Sequence, residues 1–182
     1  MISFEEFSSQ IPVFRTLIGR PLGKMVYNIL GLGKVHRVYE AAKNNSSDGN
    51  GFIDEVYRLF GVETVVENPE ALKYFTENEK FVTVSNHPYG TYDGMSLVRV
   101  ISSVRPDIKG ITNFLLSKVE PISHHFIPVN PFEKSTSNRS SLPGLRVAMN
   151  HLNEGHPLFF FPSGQVSKIV KWFRIGDREW QL

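Results

Sequence analysis

Five consecutive residues, Pro157-Leu158-Phe159-Phe160-Phe161, are apolar without interruption and suit a strand buried within a sheet. A strand of that kind needs neighbours. Phe81 to Ser85, Gly110 to Phe114 and Phe126 to Val129 read as short strands, and Gly94 to Val104 and Ser140 to Asn153 read as helices between them. Val62 to Val66, rich in β-branched residues, reads as a further strand, and Pro69 to Phe75 as a helix opened by Asn68. This alternation predicts an α/β fold, a single domain with a mixed sheet covered by helices. At 182 residues, 41% of them hydrophobic, the chain has the length of one ordinary domain and enough apolar surface for a substantial core.

Ahead of this domain the pattern changes. Leu22, Met25, Val26, Ile29 and Leu30, then Val35, Val38 and Tyr39, recur at three- and four-residue steps. That is the spacing of an amphipathic helix, here interrupted near Gly31-Leu32-Gly33. Six basic residues (Arg15, Arg20, Lys24, Lys34, Arg37, Lys43) stand against three acids (Glu5, Glu6, Glu40) over the same arm. The pattern serves equally a helix lying in the headgroup layer of an anionic membrane and a helix packed on the domain with a solvated basic back. Asn44 to Gly51 has loop chemistry and predicts the boundary: an N-terminal helical arm over residues 1–50 and an α/β domain over 51–182, with Phe52 to Phe60 a short helix stopped by Gly61.

Composition removes several function classes. Without cysteine there is no disulfide, no thiolate nucleophile and no cysteine-ligated metal. A formal net charge of +2 supplies no field that would call for nucleic acid as the partner. The start, Met1-Ile2-Ser3-Phe4-Glu5-Glu6, carries acids where a secretory signal carries bases, so a cytoplasmic location is expected. The most apolar early stretch, Met25 to Gly33, falls short of the roughly 20 apolar residues of a membrane span.

The most informative segment is Val84-Ser85-Asn86-His87-Pro88-Tyr89-Gly90-Thr91-Tyr92-Asp93-Gly94, a strand end running through a polar loop into a helix. On a continuous helix, His87 and Asp93 would stand about 240° apart at 3.6 residues per turn. They meet only if the backbone between them turns, which Pro88 and Gly90 favour. An aspartate holding one imidazole nitrogen leaves the other to accept a proton from a nucleophile. The other arrangement makes Asp93 a helix N-cap and His87 a structural histidine. A second constellation, Phe161-Pro162-Ser163-Gly164-Gln165-Val166-Ser167-Lys168, ends the aromatic strand in small residues, freeing amides beside Lys168, Lys171 and Arg174. It reads either as an anion site or as an ordinary strand-to-turn junction.

Together, Asn-His followed by Asp and a later Phe-Pro-x-Gly resemble blocks of the glycerolipid (lysophospholipid) acyltransferases, of the 1-acylglycerol-3-phosphate type. Five residues separate His87 from Asp93, one more than in the wider family, and the form Asn-His-Pro-x-Gly-x-x-Asp-Gly is closer to the bacterial hemolysin-like branch. The resemblance runs from about Val62 to Trp180. It implies a glycerol-3-phosphate acyltransferase-like fold, with His87 as base and Asp93 as its partner. Phe161, Pro162, Ser163 and Gly164 then shape the acceptor site, with Asn86, Gly90, Asn130 and Lys168 as further substrate contacts. Ser163 stands where the wider family has Glu, and Asn130 in Phe126-Ile127-Pro128-Val129-Asn130 where it has Arg. Both replacements remove charged contacts to a glycerol phosphate, which leaves room for an amino-acid-containing lipid as acceptor.

The resemblance implies transfer of a fatty acyl group from coenzyme A or acyl carrier protein to a lysolipid hydroxyl. It implies no metal or other cofactor, and peripheral contact with the inner face of the cell membrane. The family continues past Asp177-Arg178-Glu179-Trp180 into a strand with a proline-containing block. Against that pattern a chain ending at Leu182 reads as truncated, and a lipid-binding module of the same fold without catalysis is the alternative. A metal-dependent hydrolase using His87, Asp93 and the pair His124-His125 is disfavoured, because adjacent histidines on an extended segment point to opposite faces. Gly-x-Ser-x-Gly is absent, so a serine esterase finds no support.

Overall fold

The computed structural model describes residues 3–113, 116–129, 142–171, 174–176 and 179–180. They fall into two compact units, Met1–Glu63 and Thr64–Leu182. The turn-rich stretch Asn44 to Gly51, expected as the boundary, therefore lies inside the first unit, and the expected single domain is divided at Glu63.

The first unit is helical: α1 (Phe4–Gln10), a 3-10 turn (Pro12–Arg15), α2 (Gly19–Ile29), α3 (Leu32–Asn45) and α4 (Gly49–Phe60). Ser3 and Glu6 open α1 as a reciprocal capping box, each side chain accepting the other's amide. Gly31, with φ 72°, separates α2 from α3, so the interruption expected over Gly31-Leu32-Gly33 narrows to its first residue. The loop expected from Asn44 to Gly51 shrinks to residues 46–48, because Asp48 Oδ1 accepts the Gly51 amide at 2.7 Å and starts α4 early. Tyr39, Ala42, Phe52, Ile53 and Val56 form the buried seam of α3 and α4. On α2, by contrast, Gly23 and Tyr27 are buried while Leu22, Met25 and Ile29 face solvent. No described helix is long and apolar enough to cross a membrane.

The second unit is α/β. Its sheet consists of β1 (Val82–Val84), β2 (Lys109–Asn113), β3 (Phe126–Val129) and β4 (Leu158–Phe160), in the order β1-β4-β2-β3. All of these pairings are parallel, which corrects the expected mixed sheet. The antiparallel pairing belongs to a separate ribbon, β5 (Lys168–Lys171) with β6 (Arg174–Gly176). The crossovers carry α6 (Thr91–Ile101) and α7 (Leu142–Asn153), as parallel neighbours require. β4 slots between β1 and β2, and Phe159 there is only 1% exposed. Gly110 makes this possible: a Cβ at that position would land in the Phe159 ring.

Other expectations shift for local reasons. Val62 to Val66 is not a strand; among the described residues it joins no sheet, and Val65 is exposed, since β-branched residues favour strands only where a pleated surface receives them. Pro69 to Phe75 becomes a 3-10 turn (Pro69–Leu72) followed by α5 (Lys73–Glu77), and Asn68 makes no side-chain cap. The helix expected over Gly94 to Val104 starts and ends three residues earlier. Phe114 and Ser140 lie outside the described residues.

At the amino ends of the strands Arg105 ties the second unit together. Its guanidinium donates to both Asp107 carboxylate oxygens (2.9 and 2.8 Å) and to the carbonyls of Asn78 (2.7 Å) and Glu79 (2.8 Å). Longer bonds reach the carbonyls of Phe75 and Gly155. His156 Nδ1 lies 2.7 Å from Asp107 Oδ2, and His151 Nε2 lies 2.9 Å from the Asp107 carbonyl. Residues leading into β1, β2 and β4 thus meet at one ion pair, where Arg105 holds the Asp107 carboxyl well below the usual range.

Candidate active site

The carboxyl ends of the parallel strands carry the other cluster, where open α/β sheets place their ligand crevices. β1 gives way at Ser85 to an irregular stretch through Asn86 and His87, and Pro88 and Tyr89 lead to Gly90. With φ 66° and ψ −120°, Gly90 takes a backbone conformation open in practice only to glycine. It reverses the chain, α6 starts at Thr91, and Asp93 falls in its first turn. The N-cap position belongs to Gly90, not to Asp93.

The Asp93 carboxylate points back over this turn. Its Oδ2 accepts the Tyr89 amide at 2.8 Å and lies 3.1 Å from His87 Nδ1. The first bond satisfies a donor at the helix start, where a negative charge is also favoured. The second contact is short enough for an ion pair, but the ring is turned out of line for a full hydrogen bond, so Nδ1 is buried without an aligned acceptor. Such looseness is usual in unliganded catalytic sites. Burial lowers the His87 pKa, with the Asp93 charge opposing it, so the imidazole is neutral near pH 7.

β4 delivers the second block beside the first. Val84 and Phe160 are in register, so His87 and Phe161 follow neighbouring strand ends, and their rings stack at 4.1 Å between centroids and 20° between planes. Ser167 donates its amide to the His87 carbonyl at 3.0 Å, closing the later loop onto the earlier one. Pro162 and Ser163 are buried, the Ser163 hydroxyl donates to the Gln165 carbonyl, and Gly164 turns the chain at φ 62°. Asn86 and Lys168 are exposed. Asn130 lies outside the described residues.

A cavity of about 430 Å³ opens here, lined by His87, Thr112, Val129, Leu145, Phe160, Phe161 and Gly164 among others. Its walls are mainly aliphatic and aromatic, with the His87 imidazole and the Thr112 hydroxyl among their polar groups. The sequence marked His87 and Gly164 but not Thr112, Val129 or Leu145. The only available signal for these was position at a strand's carboxyl end or on a crossover helix, and it becomes usable once strand order is known.

His124 and His125 occupy a 3-10 turn (Glu120–His125), not an extended segment, and their rings touch at 4.1 Å instead of pointing apart. His125 is buried with Nδ1 2.9 Å from the Ile108 carbonyl. Among the described residues no group of three or more His, Asp or Glu is placed to share a metal ion. Burial lowers the pKa values of His125 and His151 as well as that of His87. Around and below the ordinary histidine value of about 6.5, the unfolded chain therefore binds more protons than the folded one, and stability is lost as the pH is lowered. Thermal melts at pH 7.5 and 5.5 should show a lower Tm at 5.5, and an unchanged or higher Tm there refutes the assignment.

Over residues 44–181 the sequence matches a family model described as Acyltransferase, while no curated protein and no solved structure matches it. The match spans both motif loops and all four strands of the parallel sheet, and the chain belongs to that acyltransferase family.

Proposed function

We propose that the protein moves a fatty acyl group from a thioester of coenzyme A or acyl carrier protein to a hydroxyl of a lysolipid, as a lysophospholipid-type enzyme of the hemolysin-like branch. One observation carries this reading: a neutral, half-buried imidazole with a carboxylate at Nδ1 forms part of the wall of a largely apolar cavity. With the Asp93 carboxylate beside Nδ1, Nε2 takes the proton of the acceptor hydroxyl as that oxygen attacks the thioester carbonyl. The tetrahedral intermediate collapses with cleavage of the C–S bond, and the thiolate leaves with the proton that His87 returns. No acyl-enzyme forms. The acyl chain occupies the cavity between Val129, Leu145 and Phe160. Asn86, Asn130, Ser163, Gly164 and Lys168 receive the headgroup.

The test supplies acyl-coenzyme A or acyl carrier protein with a panel of lysolipids, phosphate-headed and amino-acid-containing, and follows the new ester by mass spectrometry. Ester formation matched by thioester loss supports the reading. Saturable lysolipid binding with no thioester consumed makes the protein a non-catalytic lipid-binding module instead.

The first unit supports peripheral contact with the inner face of the cell membrane. Leu17 and Ile18 are 94% and 93% exposed, and Leu22, Met25 and Ile29 continue their line along one side of α2. Arg15, Arg20 and Lys24 add positive charge to the same segment, as contact with an anionic surface requires. Burying one such aliphatic side chain is worth about 1.5–3 kcal/mol. Leu17→Ser with Ile18→Ser should lower partitioning onto phosphatidylglycerol vesicles at least tenfold in a sedimentation assay. Equal partitioning of variant and wild type refutes the membrane contact.

A further inference from the structure

We infer that Phe161, besides lining the cavity, is a positioning residue for His87, a ring platform that fixes the plane of the imidazole. The inference rests on the reading of His87 as general base. Its ground is a continuous run of rings from the core to the site. Phe126 meets Phe159 edge-on at 6.2 Å between centroids, Phe159 meets Phe161 edge-on at 6.0 Å, and Phe161 lies flat against His87 at 4.1 Å. Both edge-on contacts have the geometry that aromatic pairs prefer. The run is anchored where packing leaves least freedom, since Phe159 is almost fully buried and its ring fills the place of a side chain at Gly110.

His87 needs such a platform. Asp93 touches Nδ1 out of line, and a single misaligned contact does not stop the ring from turning about its bond to the backbone. The Ser167 amide fixes the His87 carbonyl, which holds the main chain and leaves the side chain free. The Phe161 ring, 20° from parallel, supplies a further constraint and also covers one face of the imidazole. Among the described residues Asp93 is the charged group that bears on His87, so loss of the platform is read against its charge.

Phe161→Leu keeps the apolar volume and removes the flat surface, and Phe161→Tyr keeps both. In the Leu variant kcat should fall roughly ten- to hundredfold, as small misplacements of catalytic groups do, with KM for the lysolipid unchanged. The acidic limb of the rate profile should move to higher pH, and the Tyr variant should restore both. A second readout needs no turnover: in proton NMR of the unliganded protein, the His87 ring signal should lose its ring-current shift in the Leu variant and titrate at higher pH. If KM rises while kcat and the titration stay fixed, Phe161 is a substrate contact only and the inference fails. It fails equally if neither readout changes. Should the wild-type protein transfer no acyl group at all, the proposed function falls, and the NMR titration alone still decides whether Phe161 holds His87.

Discussion

His87→Ala should lower acyl transfer by about 10²–10⁴-fold, the usual contribution of general-base assistance. On the proposed general-base role the loss should fall on kcat, since Val129, Leu145 and Phe160 of the cavity wall stay in place. The substitution should leave the turn intact. Asp93 keeps its bond to the Tyr89 amide, α6 keeps its first-turn carboxylate, and Gly90 still reverses the chain. Near-UV and far-UV circular dichroism of the variant should therefore match the wild type. Most of the activity surviving in a folded His87→Ala protein would remove His87 from the mechanism altogether.

Arg105→Ala should be strongly destabilising, although Arg105 lies outside the site. It removes hydrogen bonds to four carbonyls and strands the Asp107 carboxylate beside His156. Breaking a fully buried ion pair costs roughly 3–5 kcal/mol. Here the Arg105 and Asp107 side chains are 15% and 28% exposed, so solvent screening brings the expected cost to about 2–3 kcal/mol. For a chain of this size that corresponds to a Tm lower by roughly 5–10 °C. Arg105→Lys should recover only part of it, since an ammonium does not reproduce the paired contact with both Asp107 oxygens. Calorimetry on the two variants tests this, and a Tm within about 1 °C of wild type for Arg105→Ala would show that the cluster is not a clamp.

The elements read correctly from the sequence are those whose pattern is local. Phe126–Val129 forms as expected, Gly61 ends its helix in the left-handed conformation, and the apolar run at Phe159 occupies an inner strand because its side chains are acceptable nowhere else. Val62 to Val66 failed because strand formation depends on a partner supplied by distant chain, and no described strand pairs with it. The sense of the sheet was missed for the same reason: whether neighbours run parallel is fixed by the crossovers, not by the residues inside each strand. Around the site, a turn between His87 and Asp93 was legible in Pro88 and Gly90. The stacking of Phe161 on His87, the amide of Ser167 and the cavity residues were not. Each requires β4 to lie beside β1, a neighbourhood that neither sequence segment encodes alone.

The adjacency of β1 and β4 also orders events in time. His87 and Asp93 belong to one short turn and can approach each other as soon as that turn and the start of α6 form. Phe161 arrives only when β4, from a segment distant in sequence from β1, inserts between β1 and β2, the kind of long-range parallel closure that is slow compared with local structure. A nascent or partly unfolded chain therefore holds the imidazole and its carboxylate without the ring platform or the greasy cavity. The enzyme is armed last, by insertion of the strand that also completes its sheet.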